Sequence, residues 1–190
     1  MTKKLPHRFV ALDVETPNGH NDRISAQGLS VIEDGQIVHN DFTLVNPETY
    51  FSHFNIQLTG IDSKLVAKAP TFAQVWYHYR DLLENEVLVA HNAAFDLRVL
   101  AHCLHDYDLL PAQPATYLCT CRLGRRCYPS LPNHKLNTMC DYLHINLNHH
   151  QADSDCQACA RLLLDYLKHD FPVNASLRTY DWQAMKTLAG

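Results

Sequence analysis

The chain has no apolar run that approaches the length of a membrane-spanning helix, about 18 residues. No signal-peptide core follows Met1. We therefore expect no contact with a membrane and a cytoplasmic location. No internal repeat or low-complexity segment is visible. Neither charge sign dominates, since the net charge is only −4. That value argues against a protein that holds nucleic acid by bulk attraction.

What the sequence does contain is enough for one full hydrophobic core, since 46% of its 190 residues are apolar. We predict one domain over residues 1–170 and a C-terminal tail, 171–190, docked on that domain. The order of apolar patterns is strand, strand, strand, helix, strand, helix, strand and then helices, with Pro70 as the first residue of the first helix. This order predicts an α/β fold, a mixed sheet with helices on its faces.

The first chemical signal is Asp13-Val14-Glu15, which closes the apolar run 9–12. Side chains alternate along a strand, so Asp13 and Glu15 share one face while Val14 points into the core. Two carboxylates ~6–7 Å apart on one face repel each other unless a cation lies between them. Divalent ions such as Mg²⁺ favour oxygen ligands of this kind. A solvated strand end is the alternative explanation for the pair alone.

A second signal follows the predicted buried strand 87–90. There His91-Asn92-Ala93-Ala94-Phe95-Asp96 opens a helical pattern, with Asn92 as its predicted N-cap. Asp96 lies in the first turn of this helix. Its role is either to complete an acidic site or only to complement the helix dipole.

The third signal is Asp155, at the start of another predicted helix, with His150 five residues before it. A neutral imidazole can take a proton from water at cellular pH. His149 is the rival for this role, but the residue five positions after it is Ser154. Acids at a helix start also have a simpler explanation, because they match the helix dipole.

Together these three segments resemble the three exonuclease motifs of the DEDD 3′→5′ exonucleases, histidine subclass. The resemblance covers roughly residues 8–168, and the motif order and context agree. Two further segments fit: 58–61 resembles the family's His-Gly-Ile or Thr-Gly-Ile turn before a helix, and 134–137 resembles its Lys-Leu-x-x-Leu segment. Members of this family have a ribonuclease H-like fold, and the proofreading epsilon subunit of DNA polymerase III is one of them.

The resemblance implies a role for each matched residue. Asp13 would bridge two Mg²⁺ or Mn²⁺ ions, and Glu15 and Asp155 would complete the site of the ion that holds the attacking water. Asp96 would support the second ion, and His150 would be the general base. Two such ions stabilise the attacking and leaving oxygens of an in-line displacement at phosphorus.

The implied substrate is the 3′ end of a single-stranded nucleic acid, DNA in preference to RNA, with a DNA polymerase as a possible partner. The residues implied to bind it are Thr16, Leu58, Thr59, His91, Asn92 and Phe95. Thr59 stands where the epsilon subunit usually has histidine. Action on short RNA is one alternative. A non-catalytic, polymerase-associated module of the same fold is another, although such a module has no reason to keep all five catalytic residues.

Two other groups of residues leave alternatives open. The pairs Cys119-x-Cys121 and Cys156-x-x-Cys159, with Cys127, suggest either a zinc site or small apolar residues of the core. The arginines of 122–126 either contact phosphate or are ordinary solvated charges.

Overall fold

The computed structural model describes residues 6–188, and its seven strands form one sheet. The strands are β1 (Arg8–Glu15), β2 (Ala26–Glu33), β3 (Gln36–Leu44), β4 (Val87–Ala90), β5 (Ala115–Cys119), β6 (Arg178–Asp181) and β7 (Lys186–Thr187). Their order in the sheet is β3-β2-β1-β4-β5-β6-β7. β1, β4 and β5 are parallel, and the outer pairs are antiparallel. The predicted mixed sheet is therefore confirmed.

Helices cover both faces of this sheet. They are α1 (His53–Thr59), α2 (Phe72–Asn85), α3 (Ala94–Asp106), α4 (Thr120–Cys127), α5 (Leu136–Leu143) and α6 (Ala152–Lys168). Helices α2 and α3 bury their apolar sides on one face, against Val10, Leu12 and Val14 of β1. Helices α4, α5 and α6 cover the other face, against Phe9 and Ala11. Strand alternation in β1 thus assigns its residues to two separate apolar clusters.

One glycine allows α6 to lie directly on the sheet. Gly28 of β2 pairs with Asp13 of β1 in the register of the sheet. A Cβ atom on Gly28 would lie 2.0 Å from the carbonyl oxygen of Ala152 and 2.9 Å from the backbone nitrogen of Asp153. The first turn of α6 therefore packs against bare backbone, immediately beside Asp13.

Three local predictions were wrong. Helix α2 begins after Thr71, which forms a capping box with Gln74, so Pro70 lies before the N-cap. Asn92 is not an N-cap: it adopts a left-handed φ of 68°, and α3 follows Ala93 without a side-chain cap. Segment 58–61 is the end of α1 rather than a turn leading into a helix, because Gly60 closes α1 with a φ of 73°.

The segment 171–190, which we predicted to be a docked tail, contributes β6 and β7 to the sheet in its described part. Tyr180 and Trp182 are buried in the same cluster as α2 and α3. The division of the chain into a domain over 1–170 and a tail stays a prediction. In the described range, 6–188, no helix is long and apolar enough to cross a membrane.

Candidate active site

The parallel strands β1 and β4 end at the same edge of the sheet, and this edge brings the first acids together. Asp13 and Glu15 continue the β1 face that is covered by α6, while Val14 is buried on the opposite face. Asp96, in the first turn of α3, is buried, and its Oδ1 accepts the backbone N–H of Val14 at 3.3 Å. This hydrogen bond fixes the Asp96 carboxylate against the strand that carries the other two acids.

The fourth acid reaches the same point from α6. Asp13, Glu15 and Asp155 each offer an oxygen, and these oxygens lie within 4.8 Å of one another. The buried Oδ1 of Asp155 has no hydrogen-bond partner among residues 6–188. A buried carboxylate oxygen without a donor is costly, so this atom is available for a cation.

Burial and mutual repulsion make these carboxylates hard to ionise together. Burial raises the pKa of Asp13 well above its usual range, and the three nearby carboxylates raise it further. Burial also raises the pKa of Glu15 to about 8 and that of Asp96 to about 7. The pKa of Asp155 is raised by burial, against the opposing effect of His149. Without a counter-charge, the site therefore holds protons near neutral pH.

The two histidines contact Asp155 in different ways. The ring of His149 is hydrogen-bonded through Nδ1 to Asp155 Oδ2 at 3.0 Å. His150 donates its backbone N–H to the same oxygen at 3.1 Å, and its φ is 66°. The two rings stack with their centroids 3.9 Å apart. Burial and the neighbouring His149 lower the pKa of His150. Thus the His149 ring orients Asp155, while both His150 ring nitrogens have no hydrogen-bond partner in the described chain.

A cleft of about 380 Å³ contains all of these groups. Of the six predicted substrate-binding residues, five line it: Thr16, Leu58, His91, Asn92 and Phe95. Leu58 is exposed, and Phe95 is partly buried against the core. The cleft therefore has a charged end and an apolar wall, which suits a nucleotide with its phosphate at the acids.

The side chains of Thr59 and His91 form hydrogen bonds within the protein. The Thr59 hydroxyl donates to the Asn55 carbonyl at 2.9 Å and accepts the Ile61 N–H, and Thr59 lines a neighbouring pocket instead of this cleft. Both ring nitrogens of His91 have protein partners, Thr120 Oγ1 at 3.0 Å and the His134 carbonyl at 2.9 Å. Burial lowers the pKa of His91 to about 4. His91 can therefore contact a substrate by its ring face, as a neutral group.

Sequence reasoning missed α1 and two residues on it that line the cleft. Phe54 is 69% exposed beside the apolar wall, whereas Asn55 is buried and donates to the Thr16 carbonyl at 2.9 Å. The signals for this short helix are present in the sequence. Ser52 caps its start through Asn55 N–H, and Gly60 ends it.

The cysteines lie in the core or pack against it. Cys156 Sγ is 3.4 Å from the Ser30 hydroxyl and Cys159 Sγ is 3.5 Å from the Thr120 hydroxyl, all of them buried. The groups of three or more potential metal ligands in the described residues consist of histidine and carboxylates, and none includes a cysteine.

Comparison with known proteins agrees with this geometry. The sequence model of the exonuclease family, RNase_T, matches residues 10–163. The chain belongs to the exonuclease family. The predicted resemblance is thereby confirmed, and the chain is an exonuclease-type hydrolase domain, of a family in which divalent-metal binding is expected.

Relatives of this exonuclease domain include much longer proteins. It is 34% identical to the PolC-type DNA polymerase III of Caldanaerobacter subterraneus subsp. tengcongensis over 86% of this chain, but over only 12% of that protein. It is 32% identical to the 3′-5′ exonuclease DinG of Bacillus subtilis, over 85% of this chain and 18% of that protein. The chain thus spans a small part of the curated relatives that it matches.

Solved structures of the exonuclease fold match nearly the whole chain. Exonuclease X in complex with 5′-overhanging duplex DNA is 28% identical, with a TM-score of 0.71, over 89% of this chain and 96% of that one. The nuclease domain of 3′hExo, a DEDDh family member solved with rAMP, is 19% identical, with a TM-score of 0.75 over 92% of this chain and 96% of that one. The second match supports the fold alone, and both agree with the predicted ribonuclease H-like sheet.

Proposed function

We propose that this chain is a 3′→5′ exonuclease that releases nucleoside 5′-monophosphates from the 3′ end of single-stranded DNA. The observation that carries this proposal is the convergence of four carboxylates and two imidazoles at one end of a cleft with an apolar wall. The relatives support DNA as substrate and a DNA polymerase as partner, because Exonuclease X was solved on DNA and the PolC-type proteins are DNA polymerases.

The donor set fits divalent cations. Hard ions such as Mg²⁺ or Mn²⁺ prefer carboxylate oxygens, and the unpartnered Asp155 Oδ1 and the raised pKa values of the acids indicate a site that lacks positive charge. Asp13, Glu15 and Asp155 would hold one ion, and Asp96 would support a second beside Asp13. When bound, the two ions would activate the water and stabilise the negative charge that develops on the phosphate.

The histidines and the apolar wall supply proton transfer and substrate positioning. The His150 ring lines the cleft, and its lowered pKa keeps it neutral at cellular pH. It therefore accepts the proton of the attacking water, as a general base. His149 and the His150 backbone N–H hold Asp155 in place through Oδ2. Leu58 and Phe95 contact the terminal base and sugar and position the last phosphodiester at the acids.

Digestion of 5′-labelled single-stranded DNA and RNA of equal sequence, with Mg²⁺, Mn²⁺ or a chelator, tests this function. We expect shortening of the DNA from its 3′ end one nucleotide at a time, and no activity in the chelator. Asp13→Asn should lower kcat by ~10³-fold or more, about 4 kcal/mol of transition-state stabilisation.

Glu84→Gln is the matched control, since it removes a carboxylate from the exposed side of α2. Activity in the chelator, or Asp13→Asn turnover at the wild-type rate, would remove the metal mechanism. Faster digestion of RNA would change the substrate, and no digestion of either would favour a non-catalytic module.

A further inference from the structure

A second cavity, of about 240 Å³, lies between α4 and the segment that follows α6. Four arginines line it: Arg122, Arg125 and Arg126 of α4, and Arg178 of β6. The neutral part of the wall includes Leu123 and Ser176. A single cavity thus contains a quarter of the chain's 16 basic residues.

None of these four arginines has an acidic partner among the described residues. No carboxylate oxygen of residues 6–188 lies within 4.0 Å of any of the four guanidinium groups, whereas Arg8 and Arg23 form ion pairs. Arg126 donates to the Ser176 hydroxyl at 3.1 Å, which fixes one guanidinium at the cavity wall. Uncompensated guanidinium groups in a net acidic protein attract an anion, and their planar donors match phosphate oxygens.

The arginine cavity shares one wall residue, Arg125, with a cleft at the acidic site. Arg125 also lines a cleft of about 470 Å³ whose wall includes Asp13, Asp155, His149 and Lys135. Basic side chains therefore continue from the carboxylates, past Lys135 and Arg125, into the arginine cavity. The apolar cleft with Phe54 and Leu58 extends from the same acids and contains none of these basic residues.

This arrangement gives the substrate a direction. The apolar cleft suits the base and sugar of the terminal nucleotide, and the basic path suits the backbone on its 5′ side. We infer that the arginine cavity binds a backbone phosphate of the DNA strand, 5′ of the bond to be cleaved. This inference rests on the proposed function, and it extends the nucleic-acid interface from the terminal nucleotide to the surface between α4 and β6.

Binding of a hydrolysis-resistant phosphorothioate oligonucleotide of about 12 nucleotides, followed by fluorescence anisotropy over a salt series, tests the inference. The variant Arg122→Gln/Arg126→Gln/Arg178→Gln leaves Arg125, which also lines the acidic cleft. We expect its Kd to rise about 10- to 100-fold at low salt, and the slope of log Kd against log salt to fall by about 0.7 for each phosphate that the variant no longer binds. The affinity for a dinucleotide, which the inference places in the acidic cleft alone, should stay the same.

Two further variants keep the experiment decisive. Lys68→Gln/Arg80→Gln/Lys168→Gln removes the same charge from exposed positions outside both clefts, and should bind as the wild type does. Replacement of the three arginines by lysine keeps the positive charge and should retain most of the salt slope. If the lysine variant lost affinity as the glutamine variant does, the loss would come from disturbed folding rather than from the missing charge. A wild-type Kd for the glutamine variant, or an equal loss in the control, would overturn the inference.

A loss of affinity for inorganic phosphate alone, with oligonucleotide binding unchanged, would also overturn it, because the cavity would then hold a free anion rather than a strand. The readout needs no turnover. Absence of exonuclease activity would therefore count against the proposed function, whereas an unchanged Kd would count against the arginine cavity.

Discussion

The acids and the histidines of the cleft are held in different ways. Asp96 is buried in the first turn of α3 and accepts a backbone N–H of β1, so sheet and helix together fix its position. His150 lies in the connection before α6, partly exposed and with a left-handed φ. The comparison indicates that the core positions the acids, whereas a short surface segment carries the two histidines.

The largest difference is expected between substitutions of the two neighbouring histidines. We expect His150→Ala to lower kcat by about 10²- to 10³-fold, the size of a lost general base, with metal binding retained. His149→Ala should cost only about 3- to 10-fold, because it removes one hydrogen bond that orients Asp155. The measurement is kcat on labelled DNA, with Mn²⁺ affinity by calorimetry. The reverse order of the two effects would transfer the base to His149.

A second prediction tests whether the core positions the acids. Gly28→Ala must displace the first turn of α6, which carries Asp155, since the new methyl group would collide with Ala152 backbone. A misplacement of ~1 Å costs about 10²-fold in rate, so we expect kcat to fall by about 10- to 100-fold with DNA binding retained.

Gly35→Ala is the matched control. A Cβ atom on Gly35 would have no other atom within 4 Å, but the φ of this residue is 78°, which alanine adopts only with strain. The substitution should therefore lower the free energy of unfolding without changing kcat. Equal kcat values for both alanine variants would show that the close contact at Gly28 does not position the carboxylates of the cleft for turnover.

The third prediction concerns the apolar wall. Phe54→Ala should raise KM by about 5- to 50-fold, the effect of losing one aromatic contact to a base, and leave kcat nearly unchanged. Tyr77→Ala is the control, since Tyr77 is 60% exposed against 69% for Phe54 but lies on α2 outside the cleft. A fall in kcat without a change in KM would instead assign Phe54 to the positioning of the reacting phosphate.

The smallest effect concerns stability and needs no substrate. In the folded metal-free protein, burial raises the pKa of Asp96 to about 7 and that of Glu15 to about 8. The unfolded chain releases these protons near pH ~4, so the contribution of the two acids to stability is largest below that pH and is lost as pH rises from there through about 7 and 8. In a chelator, the free energy of unfolding should be lower at about pH 9 than at about pH 5.

Mg²⁺ should abolish most of this difference, because a bound cation stabilises the ionised acids. Asp13→Asn should also reduce it in the chelator, since one of the repelling groups is removed. A metal-free protein that gains stability as pH rises over this range would contradict the picture of mutually repelling acids.

The sequence predicted the parts of the site that depend on strand alternation and on helix starts. Asp13 and Glu15 lie at the end of one buried strand and Asp96 lies in the helix after another; because parallel strands end at the same edge, their convergence could be anticipated. Asp155 was placed at the start of α6 by the apolar period of that helix.

The parts that could not be predicted depend on packing between distant segments. A Cβ atom on Gly28 would lie 2.0 Å from the Ala152 carbonyl oxygen because α6 packs on β2. No local sequence pattern predicts this packing. The Asp155 carboxylate contacts the ring of His149 but only the backbone N–H of His150, whose φ is 66°, and the local sequence pattern predicted neither this contact nor this angle. The short α1 was overlooked because seven residues are too few for a clear apolar period.

The last two strands have a practical consequence. The match to the family ends at residue 163, but β6 covers the side of β5 that β4 leaves open, and it buries Tyr180. A fragment trimmed to the matched region would leave β5 as a bare edge with unpaired N–H and C=O groups, which invites association between chains. Anyone expressing this nuclease as an isolated unit should therefore keep the sequence through Thr187.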